Sequence, residues 1–462
     1  MTADPAPTDD AKLPLAGLRI VDISNVISLP YASGLLSDLG AEVIKVEGHG
    51  RLDTSRGGNI TSVLCDNRLG DDPWNRIGSF NLLNRGKKSV ALDLSKPDGR
   101  AVLTDLIKVS DVVMENFTPR VMRNWGLDYP NAAKLRPGLI MVSCSGFGHN
   151  GPYSQYPGQA TTLEATHGLA YVTGYPGGEP SKAGQSFVDF LATWALVSGT
   201  MLGLRYRHRF GTGLWVDVGM YQLGTYMLSE RVLDWEANRR LGERIGNRHP
   251  FLAPQGCYRC AGDDAWCTVL ARDDEEWTAL CRTIGRPELA IDERFATNNL
   301  RMANHEAIDS IIGAWMAGQT KFGAMELLQA AGVPAGAVFN ARDLHLNEHM
   351  KARGLLETVA YPPDRQMGKQ RTIIGRPWKL SKLPLSVRGP GPRLGEHNQE
   401  ILGGVLGYSP ARMAELEATG IIASHPTTNA RKPVSMSMEE RVRSGRLATW
   451  DPDYKERLGI ED

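Results

Sequence analysis

Short apolar runs alternate with helical patterns along the first half of this chain, and that alternation restricts it to a parallel sheet covered by helices. Residues 18–22 (LRIVD) read as a buried strand, 31–39 as a helix ending at Gly40, and 42–46 (EVIKV) as the next strand. The order recurs with strands at 89–94, 111–115 and 139–143 and a helix at 97–109. A helical pattern covers 161–204, a strand follows at 215–218, and helix returns over 220–238. The segment Gly246-Asn247-Arg248-His249-Pro250 breaks the pattern, and 251–332 reads as mostly helical after a small strand pair. Strand character at 334–340 and 354–380 predicts a return to the first domain. The expected organisation is α/β: a Rossmann-like large domain over 1–225, a smaller α+β domain inserted at 226–335, a return over 336–422, and a C-terminal tail over 423–462. The tail, poor in aliphatic residues, is expected to dock on a surface or a partner.

The most apolar stretch, 187–204, carries Asp189 at its opening, in SFVDFLATWALVSG. With Asp189, Thr193, Ser198 and Thr200 inside it, a buried core helix is a better reading than a membrane span. A carboxylate there needs partners or a task. One reading is a carboxylate satisfied by the free N–H groups and dipole of a helix N-terminus; the other is a nucleophile or base in a dry cleft.

A second cluster is basic, Asn84-Arg85-Gly86-Lys87-Lys88. It reads either as a solvated turn or as a phosphate-docking site that Arg51 and Arg56 could join.

Lys plus Arg and Asp plus Glu each number 52, so the net charge is zero and the general electrostatic footprint of a nucleic-acid or anionic-membrane binder is missing. Six cysteines are too few for a disulfide scaffold, and the N-terminus has neither a basic nor an apolar leader region, so the expected compartment is the cytoplasm. Cys257 and Cys260 have knuckle spacing, but Cys267 and Cys281 form no second pair, and no His pair suits a catalytic metal; no metal is expected. The GxxxxGK[ST] loop, a completed GxGxxG fingerprint and the GxSxG elbow are all missing, which leaves ATP-driven, nicotinamide and serine-hydrolase chemistry without a motif.

Read in order, LPLAGLRIVDISNV, LLSDLGAEVIKVEGHG, NRGKKSVALDLSKPDGR, SDVVMENFTPRVMRNWGL, SGFGHNGPY, VDF with Asp189 and GTGLWVDVGMYQ resemble the family III coenzyme A transferases, the CaiB/BaiF family. DERFATNNLRMAN and AAGVPAGAVFNARDL resemble that family's small domain. The resemblance spans about residues 15–422. It implies two subunits threaded into an interlocked dimer, homomeric or with a homologous subunit, and a catalytic carboxylate at Asp189. It further implies a coenzyme A site lined by Val26, Ser28, Leu92, Asn116 and Phe117, with phosphates handled by Arg56 and Lys87 or Lys88.

The expected substrates are an acyl-CoA and a free carboxylic acid, with no other cofactor. In the substrate pocket Ile27 stands where the formyl-CoA transferases have Gln, Gln159 and Ala160 stand where they have Tyr and Glu, and Arg248 with His249 replaces a glycine-run loop. The resemblance extends to the α-methylacyl-CoA racemases, but Gln159 and Ala160 cannot supply their acid/base pair. A non-catalytic subunit of a heteromeric transferase is the other alternative.

Overall fold

A computed structural model describes residues 12–57, 64–184, 186–427 and 436–460; the first eleven residues of the leader and 428–435 of the tail lie outside the described residues. Six parallel strands form one sheet: β1 (Arg19–Asp22), β2 (Glu42–Glu47), β3 (Lys88–Ala91), β4 (Val112–Glu115), β5 (Ile140–Ser145) and β6 (Trp215–Gly219). Their order is β3-β2-β1-β4-β5-β6, the doubly wound arrangement in which the chain reverses direction across the sheet between β1 and β4. The fold is α/β and Rossmann-like, as the strand and helix alternation predicts.

The strands read as unbroken apolar runs because most are buried on both faces. Neighbouring residues feed opposite sides: Ile20 and Val112 join one core cluster with Leu29, Leu36 and Leu196, while Val21 and Val113 join another with Leu103, Leu106 and Leu402. Helix α1 (Ser28–Asp38) begins three residues before its apolar pattern suggests. Pro30 is tolerated in its first turn, where a backbone N–H has no intrahelical partner. The single helical stretch expected over 161–204 is two main helices, α2 (Ala160–Thr166) and α3 (Phe187–Phe210), separated by a turn and a Pro- and Gly-containing loop.

The chain divides into two compact units. The first comprises residues 1–167, 184–227 and 351–462 and holds the parallel sheet. The second takes 168–183 and 228–350. Its antiparallel sheet is built from β7 (Gln255–Arg259), β8 (Trp266–Leu270) and β9 (Ala335–Ala337), packed with helices around Trp277, Phe295, Ile308 and Leu328. Here the structure corrects the expected return at residue 336: β9 pairs with β8 through Cys267, Thr268 and Val269, so it completes the small sheet and the first unit resumes at Lys351. The resumed segment adds a hairpin of β10 (Leu356–Ala360) and β11 (Gln370–Ile374). The described part of the tail docks on the first unit's own surface, where Tyr454 donates to Asp66 Oδ1 at 2.6 Å and Asn67 Nδ2 donates to Met436 O at 2.6 Å.

Candidate active site

In an open sheet of this order, ligands bind beyond the strands' C-terminal ends, beside the reversal between β1 and β4. Two loops leave that point. Asn116 clasps the backbone of Asn25, accepting its N–H at 2.9 Å and donating to its carbonyl at 2.7 Å. Phe117, next in the β4 loop, donates its N–H to Glu115 at 2.9 Å and sets its ring edge-on to Trp125. Val26 adopts a left-handed conformation with φ of 71°, unusual for a β-branched residue, and the residue is 41% exposed. Ile27 precedes α1 and Ser28 opens it, with the Ser28 side chain buried and its Oγ 4.0 Å from Cys144 Sγ.

Asp189 lies in the first turn of α3, whose start is tied to the start of α1. Thr193 Oγ1 bonds the Ser28 carbonyl at 3.0 Å and the Asp189 carbonyl at 3.1 Å. Ser186, at the cap position, is left-handed at φ 57° and supplies no side-chain cap. Among the described residues nothing donates a hydrogen bond to the Asp189 carboxylate, so the backbone N–H groups that would make it a purely structural cap do not engage it. Burial first, and then the negative charge of Glu164, push its pKa up to about 6. At neutral pH such a group is mostly ionised yet poorly solvated, a combination suited to nucleophilic attack. Glu164 is fully buried on α2, and Cys144, at the end of β5, has its thiol pushed by burial up to about 12. Cys144 is therefore a protonated, inert neighbour.

The structure gives the basic cluster a different task from the one expected. Arg56 has no exposed side-chain surface: it forks onto Glu47 at 2.6 and 2.7 Å, donates to Asn75 Oδ1 and the Pro392 carbonyl, and stacks on Phe80 at 3.6 Å. Lys87 is buried and uses all three of its donors on Asp22, the Pro30 carbonyl and Asn84; burial pulls its pKa down to about 8 against the pull of Asp22. Arg85 pairs with Asp38, which Arg376 also reaches. Lys88 opens β3, at the edge of the sheet away from the C-terminal ends, and pairs there with Glu42 and Glu400. These placements correct the assignment of Arg56, Lys87 and Lys88 to phosphates: two are spent inside the core and the third faces the wrong edge. Leu92 is likewise fully buried, its N–H donated to the Glu47 carbonyl and its backbone bridged to Ile422, so neither its side chain nor its backbone is open to a ligand. Arg51 is exposed.

Gln159 is exposed at the cap of α2, its N–H donating to Thr162 Oγ1, and Ala160 begins that helix. Arg248 and His249 belong to the second unit. There Arg248 pairs with Asp309 at 3.1 Å, and Asp309 also accepts from the buried Tyr258 hydroxyl at 2.7 Å; His249 Nδ1 accepts the Phe251 N–H.

Two histidines of the first unit escaped the sequence reading. His149 stands between Asp217 (2.9 Å), midway along β6, and Glu115 (3.3 Å), the last residue of β4, and its ring lies perpendicular to that of Trp215. Burial opposes protonation, but the two carboxylates lift its pKa to about 9. His167 is buried against Gly224, where an added Cβ would fall 2.1 Å from its ring. No spacing signal links His149 to its partners. Among the described residues no group of three or more His, Cys, Asp and Glu is arranged to hold a metal ion, and all six cysteines are free.

The family model described as CoA-transferase family III matches residues 15–398. The chain is 34% identical over 409 residues to the succinyl-CoA–D-citramalate CoA-transferase of Chloroflexus aurantiacus, covering 88% of this chain and 98% of that protein. It is 31% identical to the succinyl-CoA–L-malate CoA-transferase beta subunit of the same organism, covering 89% and 98%. Among solved structures, a CaiB/BaiF family protein from Brucella suis superposes with a TM-score of 0.74 at 30% identity, covering 84% of this chain and 98% of that one.

Proposed function

The chain belongs to CoA-transferase family III and is a CoA-transferase, and from that premise we propose that it moves coenzyme A from succinyl-CoA to a second carboxylic acid through covalent intermediates on Asp189. The observation that carries this reading is a poorly solvated carboxylate at the start of an apolar helix, without hydrogen-bond donors among the described residues, fastened to the first turn of α1.

The ionised Asp189 attacks the thioester carbonyl and expels the coenzyme A thiolate, leaving a mixed succinyl-aspartyl anhydride. The thiolate then attacks the aspartyl carbonyl and releases succinate, giving an aspartyl-CoA thioester. The acceptor carboxylate attacks that thioester, the thiolate leaves and returns to the acceptor's carbonyl, and Asp189 is regenerated. Each step exchanges one activated acyl group for another, so no external energy source enters. The coenzyme site of this reading is the β1 and β4 loop pair, Val26, Ser28, Asn116 and Phe117, with Ile27 beside the thioester. Burial of Asp189 removes the hydration shell that would stabilise the carboxylate before it reacts.

The acceptor of this proposal is a substituted dicarboxylic acid. The relatives named for D-citramalate and L-malate, both with succinyl-CoA, favour that class over oxalate. Ile27 with Gln159 and Ala160, in place of fixed polar groups, favours a larger acid.

Assembly with a second subunit, of this chain or a homologue, is part of the reading. Helix α3 is long and apolar enough to cross a membrane by length and composition, and it exposes Phe187, Phe190, Met201, Leu202 and Phe210; an apolar face of this extent calls for a partner surface. In this reading the enzyme works in the cytoplasm.

The test is incubation with succinyl-CoA, trapping with hydroxylamine or borohydride, and peptide mass spectrometry, beside a donor and acceptor panel. Modification at Asp189 and loss of turnover in Asp189→Ala are expected. An unmodified Asp189 with full activity in the variant would sink the mechanism. Purified alone, the chain should turn over; activity that appears only with a homologous second subunit would favour the heteromer.

A further inference from the structure

Val26 poses a problem that its own packing does not solve. A left-handed backbone is disfavoured for any L-residue and more so for a β-branched one, and Val26 is exposed, so no buried contact of its side chain repays the strain. The turn is held from behind instead. The three consecutive N–H groups of Ser24, Asn25 and Val26 are each accepted by a side-chain oxygen, from Asp22 at 2.9 Å, Asn116 at 2.9 Å and Asp53 at 3.1 Å respectively. The Ser24 carbonyl accepts from Lys45 Nζ at 2.6 Å, and Lys45 lies 3.4 Å from Asp53. Asp53 and Lys45 have no exposed side-chain surface.

We propose that Asp53 is a positioning residue for the acyl-CoA site: its carboxylate, with Lys45 behind it, holds Val26 in the left-handed turn that shapes the entry to α1. This rests on the reading of the Val26 to Ser28 loop as part of the coenzyme site. Asp53 touches no substrate in this proposal; it acts through the backbone of Val26. Its competing structural role is also visible, since the same carboxylate caps the next turn by accepting the Ser55 N–H at 2.9 Å and hydroxyl at 2.8 Å. Strained backbone that surrounding groups over-determine is characteristic of ligand clamps. Once the clamp is cut, only the fraction of molecules with the turn still formed is competent to bind, and apparent affinity falls by that fraction.

The experiment compares succinyl-CoA kinetics, calorimetric titration with free coenzyme A and thermal melting for the full-length protein and its variants. Asp53→Ala is expected to raise KM for succinyl-CoA and the dissociation constant of coenzyme A by roughly five- to thirtyfold, equivalent to the 1–2 kcal/mol of a left-handed L-residue, with kcat within about threefold. Adding Val26→Gly, which removes the conformational penalty, is expected to lower KM severalfold from the Asp53→Ala value, short of wild type by what the Val26 side chain itself contributes to the site, without restoring the melting temperature. A purely capping role gives the opposite pattern: lowered melting with unchanged KM, or a raised KM that Val26→Gly does not lower, and either overturns the proposal. Asp53→Ser, too short to reach Val26, replaces the alanine variant in the same comparison if that one does not fold. Failure of the parent reading is distinguishable with Val26→Trp, which puts bulk on the loop's exposed face: if the loop lies outside the coenzyme site, that variant keeps the wild-type KM and coenzyme A affinity.

Discussion

Replacing Arg56 separates a phosphate contact from an internal strut. Its guanidinium and the Glu47 carboxylate have 0% and 1% side-chain exposure and form a two-point fork. Removing one partner of such a pair leaves an uncompensated buried charge and costs about 3–5 kcal/mol. At roughly 2–4 °C per kcal/mol for a large domain, Arg56→Met should lower the melting temperature by about 6–20 °C, toward the small end because the unit is large. The double variant Arg56→Met/Glu47→Leu, which removes both charges, should recover at least half of that loss. At temperatures where the single variant is folded, KM for succinyl-CoA should stay within about twofold of wild type, because none of the guanidinium surface faces solvent. Scanning calorimetry and initial-rate kinetics on the same preparations decide the matter. An unchanged melting temperature with KM raised tenfold would refute the reasoning and return Arg56 to the phosphate site.

Other outcomes follow from the same geometry. Lys88→Ala should change neither KM nor kcat and cost less than about 1 kcal/mol, since its pairs with Glu42 and Glu400 are partly exposed; titration with coenzyme A and melting curves check both. The pH profile of kcat/KM should fall on the acid side with an apparent pKa near 6 as Asp189 protonates. An acid whose folded pKa lies above its unfolded value stabilises the fold only at low pH, so Asp189→Asn should raise the melting temperature at pH 8 and lose that advantage as pH falls through 6 toward 4. His149, held near 9, contributes stability that is complete below its unfolded value of 6.5 and disappears as pH rises through 9. The melting difference between wild type and His149→Gln should shrink across that window, and a constant difference would place the stabilising interaction elsewhere.

The strands were legible because burial on both faces leaves an uninterrupted apolar run, and Asp189 was legible because a carboxylate inside such a run stands out. The cations were not. In sequence, Arg85, Lys87 and Lys88 form one charge run, and their nature depends on Asp38, Asp22 and Glu42, which lie some forty to sixty-five residues earlier and arrive only when the strands take their register. A local pattern cannot distinguish a solvated turn, a phosphate site and three separate ion pairs. Likewise 334–340 has strand character in the sequence, but only 335–337 form strand, and they join the second unit's sheet and not the first domain, because strand propensity carries no information about which edge is open. His149 lies in a Gly-rich loop with no motif of its own, while Glu115 and Asp217, which define it, come from strands on either side of β5.

The bridge between Leu92 and Ile422 has a bearing on synthesis. Strand β3 is the sheet's outer edge, and its far side is closed by late residues: Gly395 donates to Ser89 Oγ, His397 N–H to the Ser89 carbonyl, and the Asp93 N–H to Ile421 O. All six strands of the large sheet have been synthesised once Gly219 is made, yet the segment that seals β3 follows about two hundred residues later, roughly 10–40 s at ordinary elongation rates. Throughout that interval the nascent protein carries an open sheet edge, the kind of surface that recruits foreign strands, while the 228–350 stretch of the second unit emerges as a continuous segment.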